Sequence, residues 1–384
     1  MERAELMTVL RATRCAHERE GFVFLQDPNR TSAGRAAIAA QLSRSKNQES
    51  KISQGWLCIA TGGTSGGVKF ARHDEQTLSA AVEGLRAHFG LARINGVDVL
   101  PPHHVSGLMA RVRAAATGGN HVAWSWKRLE AGDVPRLDAR EDDWVISLVP
   151  TQLQRLLQVP VAVEWLRGLR VIFLGGGPVW PALAEAAARA ALPVALSYGM
   201  TETAAMVAAL RPEEFLAGGR TCGRALPHAR ITADREGVVR VAGASVFHGY
   251  WPEWRGEREF VTEDLGVIDA HGKLEVLGRR DAMIITGGKK VQPAEVEAAL
   301  RASGEFSEVV VIGVPDGEWG EAVVACFPLM GGRAPETSRA VAALAPHQRP
   351  KHYLPLSPWP ANAPGKVSRA ELRAAARARL AGGG

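Results

Sequence analysis

Long apolar runs are missing from the sequence, and cysteine is scarce. No run approaches the ~18 uninterrupted apolar residues that a membrane span needs, and residues 1–5 lack the basic-then-apolar order of a secretory signal. We therefore expect a cytoplasmic protein without a membrane span. The four cysteines form no CxxC pair, which indicates neither a zinc site nor a disulfide framework. We expect all of them to be small buried hydrophobic residues: Cys15, Cys58, Cys222 and Cys326.

Acidic residues are in deficit, because 40 of them face 46 lysines and arginines and leave a net charge of +6. A nucleic-acid-binding protein is one candidate for such a charge. The arginines are spread along the chain without interleaved aromatic residues, however, so we expect no nucleic-acid partner. The densest group lies in an alanine-rich stretch and is predicted to be the solvated basic face of a terminal helix: Arg369, Arg373, Arg377 and Arg379.

The length of 384 residues, with 46% hydrophobic and 22% charged residues, is typical of a soluble globular protein of two or three domains. From residue 56 onward, short apolar runs alternate with helical patterns, which predicts largely parallel sheets. Residues 43–53 are predicted to be a surface connection. The predicted strands are 56–60, 97–100, 144–147, 171–174 and 194–197, and the predicted helices are 75–89, 108–116, 152–158 and 180–191.

The pattern changes after about residue 220. Short strands at 238–241 and 273–277 predict a small β-rich subdomain. Beyond Gly278, a Gly-Gly turn, a helix at 293–302 opened by proline, a strand at 309–314 and the terminal helix predict a separate α+β domain. The predicted fold class is α/β, with αβα-layered subdomains and mixed, largely parallel sheets in a large N-terminal domain, then the β-rich subdomain and the small C-terminal domain.

A glycine- and hydroxyl-rich segment follows the first predicted strand of this series. Its backbone N–H groups, hydroxyls and ammonium group suit a polyphosphate. It is not a Walker loop, because the spacing of glycine to Gly-Lys-Ser/Thr fails. Taken alone, it could also be a glycine-rich turn. The segment reads Thr61-Gly62-Gly63-Thr64-Ser65-Gly66-Gly67-Val68-Lys69.

Two further segments follow predicted strands. Gly175-Gly176-Gly177 lacks side chains that would keep a flat ligand off the backbone, although a tight strand-to-helix turn explains it as well. Tyr198-Gly199-Met200-Thr201-Glu202 brings together an aromatic ring, a hydroxyl and a carboxylate. Thr201 and Glu202 could form a helix cap, but beside a phosphate site Glu202 could hold Mg²⁺ and Thr201 a phosphate.

These three segments, in this order, resemble the adenylate-forming superfamily of acyl-CoA synthetases, adenylation domains and luciferases. Later segments fit the same pattern: Thr262-Glu263-Asp264 resembles its Thr-Gly-Asp, Gly278-Arg279-Arg280-Asp281 its Gly-Arg-x-Asp, and Pro364-Gly365-Lys366 its terminal Gly-Lys motif. The resemblance covers residues 56–369. Within the superfamily, the segments 104–108 and 149–157 and the Thr-Gly-Gly form of the loop look most like o-succinylbenzoate–CoA ligases.

The resemblance implies a role for each matching residue. Lys366 would be the adenylation lysine, Thr201 and Glu202 would act at the phosphates with Glu202 on the metal, and His104 would lie against the acyl substrate. Asp281 would be the hinge of a mobile C-terminal domain, with Gly287 and Gly288 facing the CoA channel. The implied ATP-binding residues are Thr61, Gly63, Thr64, Ser65, Gly66, Lys69, Gly175, Gly176, Gly177, Tyr198, Gly199, Asp264 and Arg279, and the implied acyl-substrate residues are His104, Ser106, Gly107, Arg155 and Gly176.

The chain also departs from the family pattern. Gly62, Val68 and Phe70 stand where the loop usually has serine, proline and glycine, and Glu263 stands where Thr-Gly-Asp has glycine. The region before the loop is shorter than in most relatives. The expected domains are 1–279, shortened at its N-terminus, and 280–384. The resemblance is compatible with a homodimer.

The implied activity is that of an ATP-dependent acid–CoA ligase. It would first form an acyl-adenylate and then the CoA thioester, with ATP, Mg²⁺ and coenzyme A as cofactors and co-substrates. The expected acid is 2-succinylbenzoate, in menaquinone or phylloquinone biosynthesis. Two alternatives stay open: another aryl- or acyl-CoA ligase or carrier-loading enzyme of the superfamily, and a non-catalytic homologue that binds AMP or CoA.

Overall fold

The computed structural model describes residues 1–30, 32–43, 54–62, 68–138, 143–329, 335–360 and 367–381. Most of the predicted connection at 43–53 therefore lies outside the described residues. The elements group into four sheets in chain order. None of the helices in these ranges combines the length and the apolar composition that crossing a membrane requires.

The first sheet has the strand order β1-β2-β3-β4, with β2 and β3 parallel and the other pairs antiparallel. Its strands β3 and β4 pair through Thr61 and Lys69, so the glycine-rich segment joins the two strands of a hairpin. Phe70 is fully buried against Phe24, which explains an aromatic residue at this position of β4. The elements are α1 (Arg3–Ala12), β1 (Ala16–Arg19), β2 (Phe22–Leu25), α2 (Ser32–Ser43), β3 (Leu57–Gly62), β4 (Val68–His73) and α3 (Glu75–Phe89).

The second sheet has seven strands in the order β11-β10-β9-β8-β7-β5-β6. The five strands from β9 to β6 are parallel, whereas β10 and β11 are antiparallel additions. The strands are β5 (Asn95–Asp98), β6 (His121–Ala123), β7 (Trp144–Leu148), β8 (Val171–Leu174), β9 (Val194–Met200), β10 (Ala205–Ala209) and β11 (Arg224–Ala225). The helices are α4 (Val105–Thr117), α5 (Trp126–Glu130), α6 (Pro150–Leu156), α7 (Pro160–Arg167), α8 (Pro181–Arg189) and α9 (Pro212–Leu216).

Both faces of this sheet are buried. In β8, Ile172 and Leu174 belong to the apolar cluster on one face, and Val171 and Phe173 belong to the cluster on the other. Successive side chains of a strand point to opposite faces, so a continuous apolar run is what a strand covered on both sides requires. This explains why the run at 171–174 was predictable as a strand with its observed bounds.

The third sheet is antiparallel, in the order β12-β13-β14-β15, and confirms the β-rich subdomain. Its last two strands pair Asp264 with Arg279, which sets two predicted nucleotide residues side by side. The strands are β12 (Ala229–Ala233), β13 (Val238–Gly243), β14 (Glu259–Ile268) and β15 (Leu274–Arg279).

The C-terminal elements form a fourth sheet in which β19 pairs with β16, β18 and β20. They are β16 (Ile284–Thr286), β17 (Lys289–Val291), α10 (Pro293–Ala302), β18 (Val310–Asp316), β19 (Gly320–Pro328), α11 (Thr337–Ala340), β20 (His352–Leu356) and α12 (Arg369–Ala381). Gly287 and Gly288 are the left-handed turn between β16 and β17. The predicted mixed fold, with its large N-terminal and small C-terminal parts, is confirmed.

Two details of the sequence analysis were wrong. Arg369 is not part of a solvated face, because its guanidinium donates to the buried Glu297 at 2.7 Å and to the Val311 carbonyl. Cys222 is only partly buried, whereas the other three cysteines are buried as expected. All four thiols are free.

Candidate active site

Several of the predicted acyl-substrate and nucleotide residues lie near or beyond the carboxyl ends of adjacent parallel strands. His104 follows β5, Arg155 follows β7, the three glycines at 175–177 follow β8, and Tyr198 lies near the end of β9. The strand order β9-β8-β7-β5 places these segments along one edge of the sheet. Ligands of open α/β sheets bind outside this edge, so the topology unites residues that are distant in sequence.

Two of the three glycines at this edge are required, Gly175 by a close contact and Gly176 by its backbone conformation. A Cβ on Gly175 would lie 2.5 Å from the Ser197 hydroxyl, which donates to the Leu174 carbonyl at 3.1 Å. Gly176 has a left-handed φ of +78°, a conformation that side chains disfavour. The segment therefore follows β8 beside the ends of β7 and β9, and it exposes backbone rather than side chains.

The first polar group of the site centres on Asp264. The Tyr198 hydroxyl donates to Asp264 Oδ2 at 2.6 Å, and Arg279 Nη1 donates to Oδ1 at 3.2 Å. Burial and the neighbouring carboxylate raise the pKa of Tyr198, so the phenol keeps its proton. The structure thus brings together three residues that were predicted from the sequence to bind the nucleotide.

The second polar group centres on Glu202, whose side chain is buried. The Tyr250 hydroxyl donates to Glu202 Oε1 at 2.7 Å, and the Thr61 hydroxyl approaches the same oxygen at 3.4 Å. Lys69 Nζ lies 5.2 Å from the centre of the Tyr250 ring. Burial and the charge of Glu202 raise the pKa of Tyr250. Within the described ranges, no hydrogen bond to Glu202 Oε2 is formed.

The backbone around Glu202 is held in an unusual conformation. Thr201–Thr203 is a short 3-10 helix, and the next two residues, Ala204 and Ala205, have φ of 52° and 78°. Left-handed backbone at residues other than glycine is uncommon and often occurs at functional sites. His73 contributes to holding it, because its Nε2 lies 2.7 Å from the Thr201 carbonyl and must be the donor. Burial lowers the pKa of His73 to about 4.

Tyr250 and the segment around it were not among the residues predicted from the sequence. Tyr250 forms an isolated antiparallel bridge with Ala71 of β4, and Phe247 N donates to the Glu202 carbonyl at 2.9 Å. The segment is not regular secondary structure, and its contact with Glu202 depends on tertiary pairing. A His-Gly-Tyr-Trp sequence carries no periodicity that would reveal this contact.

On the acyl-substrate side, His104 is the N-cap residue of α4 and its ring lies 4.5 Å from that of His103. Ser106 is in the first turn of α4, and Gly107 allows close packing because a Cβ there would lie 2.4 Å from the Pro101 carbonyl oxygen. Arg155 is 55% exposed and pairs with Glu130 at 3.0 Å. Arg155 would therefore have to leave Glu130 to bind a substrate carboxylate.

The predicted hinge lies directly beside the Asp264 group. Arg279 donates to both oxygens of Asp281 at 2.8 Å, and this pairing raises the pKa of the guanidinium. Arg280 donates to both oxygens of Glu263 at 3.0 Å. The structure thus explains Glu263, the residue that replaces the family glycine: its charge is paired with Arg280.

Five of the predicted residues lie outside the described residues: Gly63, Thr64, Ser65, Gly66 and Lys366. Their roles stay predictions. The hairpin pairing of Gly62 with Val68 fixes the two ends of the loop.

The family model of AMP-binding enzymes matches residues 4–251. The family model of the AMP-binding enzyme C-terminal domain matches residues 295–366. The first match covers more than half of the chain. The chain belongs to the AMP-binding enzyme family. The predicted membership of the adenylate-forming superfamily is therefore confirmed, and the family match includes Thr61, Glu202 and Tyr250.

The chain is similar to the 2-succinylbenzoate–CoA ligase of Bacillus licheniformis, with 32% identity over 81% of this chain and 68% of the relative. It is 31% identical to the indoleacetate–CoA ligase of Aromatoleum aromaticum, over 83% of this chain and 66% of the relative. The chain thus spans about two thirds of the length of these relatives.

Solved structures of the o-succinylbenzoate CoA synthetase of Bacillus subtilis share the fold. The complex with the acyl-adenylate intermediate OSB-AMP superposes with a TM-score of 0.74 at 26% identity, over 97% of this chain and 81% of that one. The complex with ATP and magnesium ion gives 0.71 at 28% identity, over 84% and 70%.

Proposed function

We propose that the protein is an ATP-dependent acid–CoA ligase that converts 2-succinylbenzoate into its CoA thioester through an acyl-adenylate. The observation that carries the proposal is a pair of carboxylates in an AMP-binding enzyme: Asp264 accepts from Tyr198 of β9, and Glu202, which directly follows β9, accepts from Tyr250. The 2-succinylbenzoate–CoA ligase relative and the OSB-AMP complex support the choice of acid.

Asp264 would bind the ribose of ATP. Its two oxygens already accept from Tyr198 and Arg279, which fixes the plane of the carboxylate before the nucleotide arrives. Each oxygen retains lone pairs for a ribose hydroxyl. The exposed backbone at 175–177 would lie against the flat adenine or acyl group.

Glu202 fits a magnesium ion that arrives with ATP. The ion commonly uses one or two protein carboxylates together with phosphate oxygens and water, and Glu202 offers one oxygen that is not hydrogen-bonded within the described part of the chain. When bound, it would neutralise phosphate charge during adenylation. Thr61 and Lys69, at the two ends of the hairpin loop, would contact the β- and γ-phosphates.

Lys366 would supply the charge that stabilises the α-phosphate oxygens while the carboxylate attacks and pyrophosphate leaves. The second step needs room for the CoA thiol, which displaces AMP from the acyl-adenylate. Rotation of the C-terminal domain about Asp281 would withdraw Lys366 and bring the Gly287-Gly288 turn to the thiol channel. His104 and Ser106 would line the acyl site. We place the protein in the cytoplasm, where its four free thiols would stay reduced.

The test is pyrophosphate release and thioester formation with 2-succinylbenzoate, ATP and CoA. Lys366→Ala should lower the adenylation rate about 10²- to 10³-fold, yet should still convert pre-made acyl-adenylate to thioester. Lys273→Ala is the matched control, because Lys273 pairs with Glu214 at 2.9 Å in contacts separate from both carboxylate groups.

The indoleacetate–CoA ligase relative makes aryl acids the second candidate substrates. If pyrophosphate forms with indoleacetate or another acid but not with 2-succinylbenzoate, the substrate assignment is wrong and the reaction type stands. Adenylate transfer only to a carrier protein would identify a carrier-loading enzyme. Absence of pyrophosphate with every acid, while AMP still binds, would indicate a non-catalytic homologue.

A further inference from the structure

We propose that Tyr250 is a positioning residue: it holds one oxygen of Glu202 so that the other is available to the magnesium–nucleotide complex. This inference rests on the proposed function. Its basis is the asymmetry of the Glu202 carboxylate, whose Oε1 receives the Tyr250 hydroxyl at 2.7 Å and the Thr61 hydroxyl at 3.4 Å. An ionised carboxylate only accepts hydrogen bonds, so Tyr250 is the donor.

The position of Tyr250 is fixed by backbone pairing on both sides of it. Arg72 N donates to the Gly249 carbonyl at 3.0 Å, and Trp251 N donates to the Phe70 carbonyl at 2.8 Å. Residues 249–251 are therefore held along the edge of β4 by an isolated antiparallel bridge. Because β4 is paired with β3, the Tyr250 hydroxyl is tied to the hairpin that carries Thr61 and Lys69.

A buried polar pair fixes the same segment from another direction. His248 Nε2 lies 2.6 Å from Asp74 Oδ2, and the two side chains are 1% and 2% exposed. Asp74 also caps α3 by accepting from Thr77 N at 3.0 Å. The segment next to Tyr250 is thus anchored to the start of a long helix, and loss of register there would leave buried polar groups unpaired.

The ring of Tyr250 is held as well as its hydroxyl. It packs edge-to-face on Phe247 with ring centres 4.9 Å apart, and Lys69 Nζ lies over its face. Tyr250→Phe would keep these contacts and remove only the donor to Glu202. The freed carboxylate could then rotate, which would weaken its hold on the cation without removing the ligand.

The experiment measures Mn²⁺ bound with a methylene-bridged ATP analogue, by electron paramagnetic resonance of the full-length protein. We expect Tyr250→Phe to raise the metal concentration at half-saturation about tenfold, as loss of one hydrogen bond to a charged group implies. Pyrophosphate release titrated with Mg²⁺ at saturating ATP should show the same shift, with kcat at saturating metal within about threefold of wild type.

Tyr353→Phe is the matched control, because Tyr353 lies in the C-terminal core and the chain has only three tyrosines. It should leave the metal midpoint unchanged. In a Glu202→Gln background, Tyr250→Phe should add no further shift, since its effect would act through that carboxylate. If the single variant is too unstable, Thr61→Val removes the other donor to Oε1 and should raise the midpoint about threefold. The part of this shift that is lost in the Glu202→Gln background acts through the carboxylate, whereas a shift that persists there reflects the phosphate contact of Thr61.

An unchanged metal midpoint in Tyr250→Phe, whatever its kcat, would overturn the positioning role. Full additivity with Glu202→Gln would do the same. The proposed function would fail in a different way: the wild-type protein itself would show no metal-dependent binding of the ATP analogue.

Discussion

At the scale of single residues, the site depends on polar side chains whose ionisation is set by burial. His73 is fully buried, and its pKa falls from 6.5 to about 4. Between about pH 4 and pH 6.5, His73 therefore binds a proton in the unfolded chain but not in the folded protein. The contribution of neutral His73 to stability is complete above about pH 6.5 and is lost as the pH falls toward 4.

We predict that His73 alone makes the protein about 2 kcal/mol less stable at pH 5 than at pH 7.5. Urea unfolding at the two pH values measures this, with His73→Gln for comparison. The glutamine amide can still donate to the Thr201 carbonyl but does not titrate, so the variant should lose this part of the pH dependence. A pH dependence equal to that of wild type would contradict the prediction.

A second residue-scale prediction concerns the charge of Glu263. Glu263 pairs with Arg280, and the side chains are 43% and 49% exposed. Arg280→Gln should leave a free negative charge near the nucleotide and raise KM for ATP about threefold, an effect that 0.5 M salt should remove. Glu263→Gln should change KM less, and the double variant should return it toward wild type. A larger effect of Glu263→Gln would show that the charge acts on the nucleotide directly.

At the scale of secondary-structure elements, the turn from β9 to β10 shapes the Glu202 backbone. A Cβ on Gly199 would lie 2.0 Å from the Ala205 carbonyl oxygen, so the two strands come too close for any side chain there. We expect Gly199→Ala to destabilise the protein by about 2 kcal/mol or more. It should also lower the adenylation rate of the protein that stays folded, because it displaces Glu202. Thermal unfolding and pyrophosphate release report the two effects.

Gly317→Ala is the control for this substitution, since a Cβ there meets no atom within 4 Å and the φ is not left-handed. It should change stability by less than about 0.5 kcal/mol. Equal stability of the two glycine variants would mean that the strands can separate at Gly199 without cost.

Elements with a strong periodic signal were predictable from the sequence, and those defined by partners were not. The helices 75–89 and 293–302 have their predicted bounds because a capping aspartate and an N-terminal proline mark their starts. β1 was missed because its sequence, Ala-His-Glu-Arg, is mostly polar and the strand is ordered by pairing with β2. β2, which reads Phe-Val-Phe-Leu, has an apolar run of the same kind as β8 and could have been predicted. The ATP and metal residues carry recognisable motifs, whereas Tyr250 reaches Glu202 only through tertiary pairing.

At the scale of the whole molecule, the apolar cores fall into groups that do not mix the two ends of the chain. The clusters around Leu300 and around Val324 contain only residues beyond 283, and those around Ile172 and Val82 contain only residues before 216. Where the two parts of the chain meet, the contacts involve charged side chains. Arg301 lies 5.0 Å from the centre of the Trp180 ring, and the Arg279–Asp281 ion pair lies where the C-terminal part begins. A junction where the apolar clusters of the described residues are not shared predicts domains that unfold separately.

We therefore predict two thermal unfolding transitions, one for each domain. A cavity in the core of one domain should lower the midpoint of that domain's transition only. Leu300→Ala should destabilise the C-terminal domain by about 3 kcal/mol, and Ile172→Ala should destabilise the N-terminal domain alone. Between the two transitions, Leu300→Ala should still bind the ATP analogue through Asp264 and Glu202 but should no longer adenylate, because Lys366 belongs to the unfolded part. A single transition shifted equally by both variants would instead mean that the domain boundary near residue 280 is not a boundary for folding.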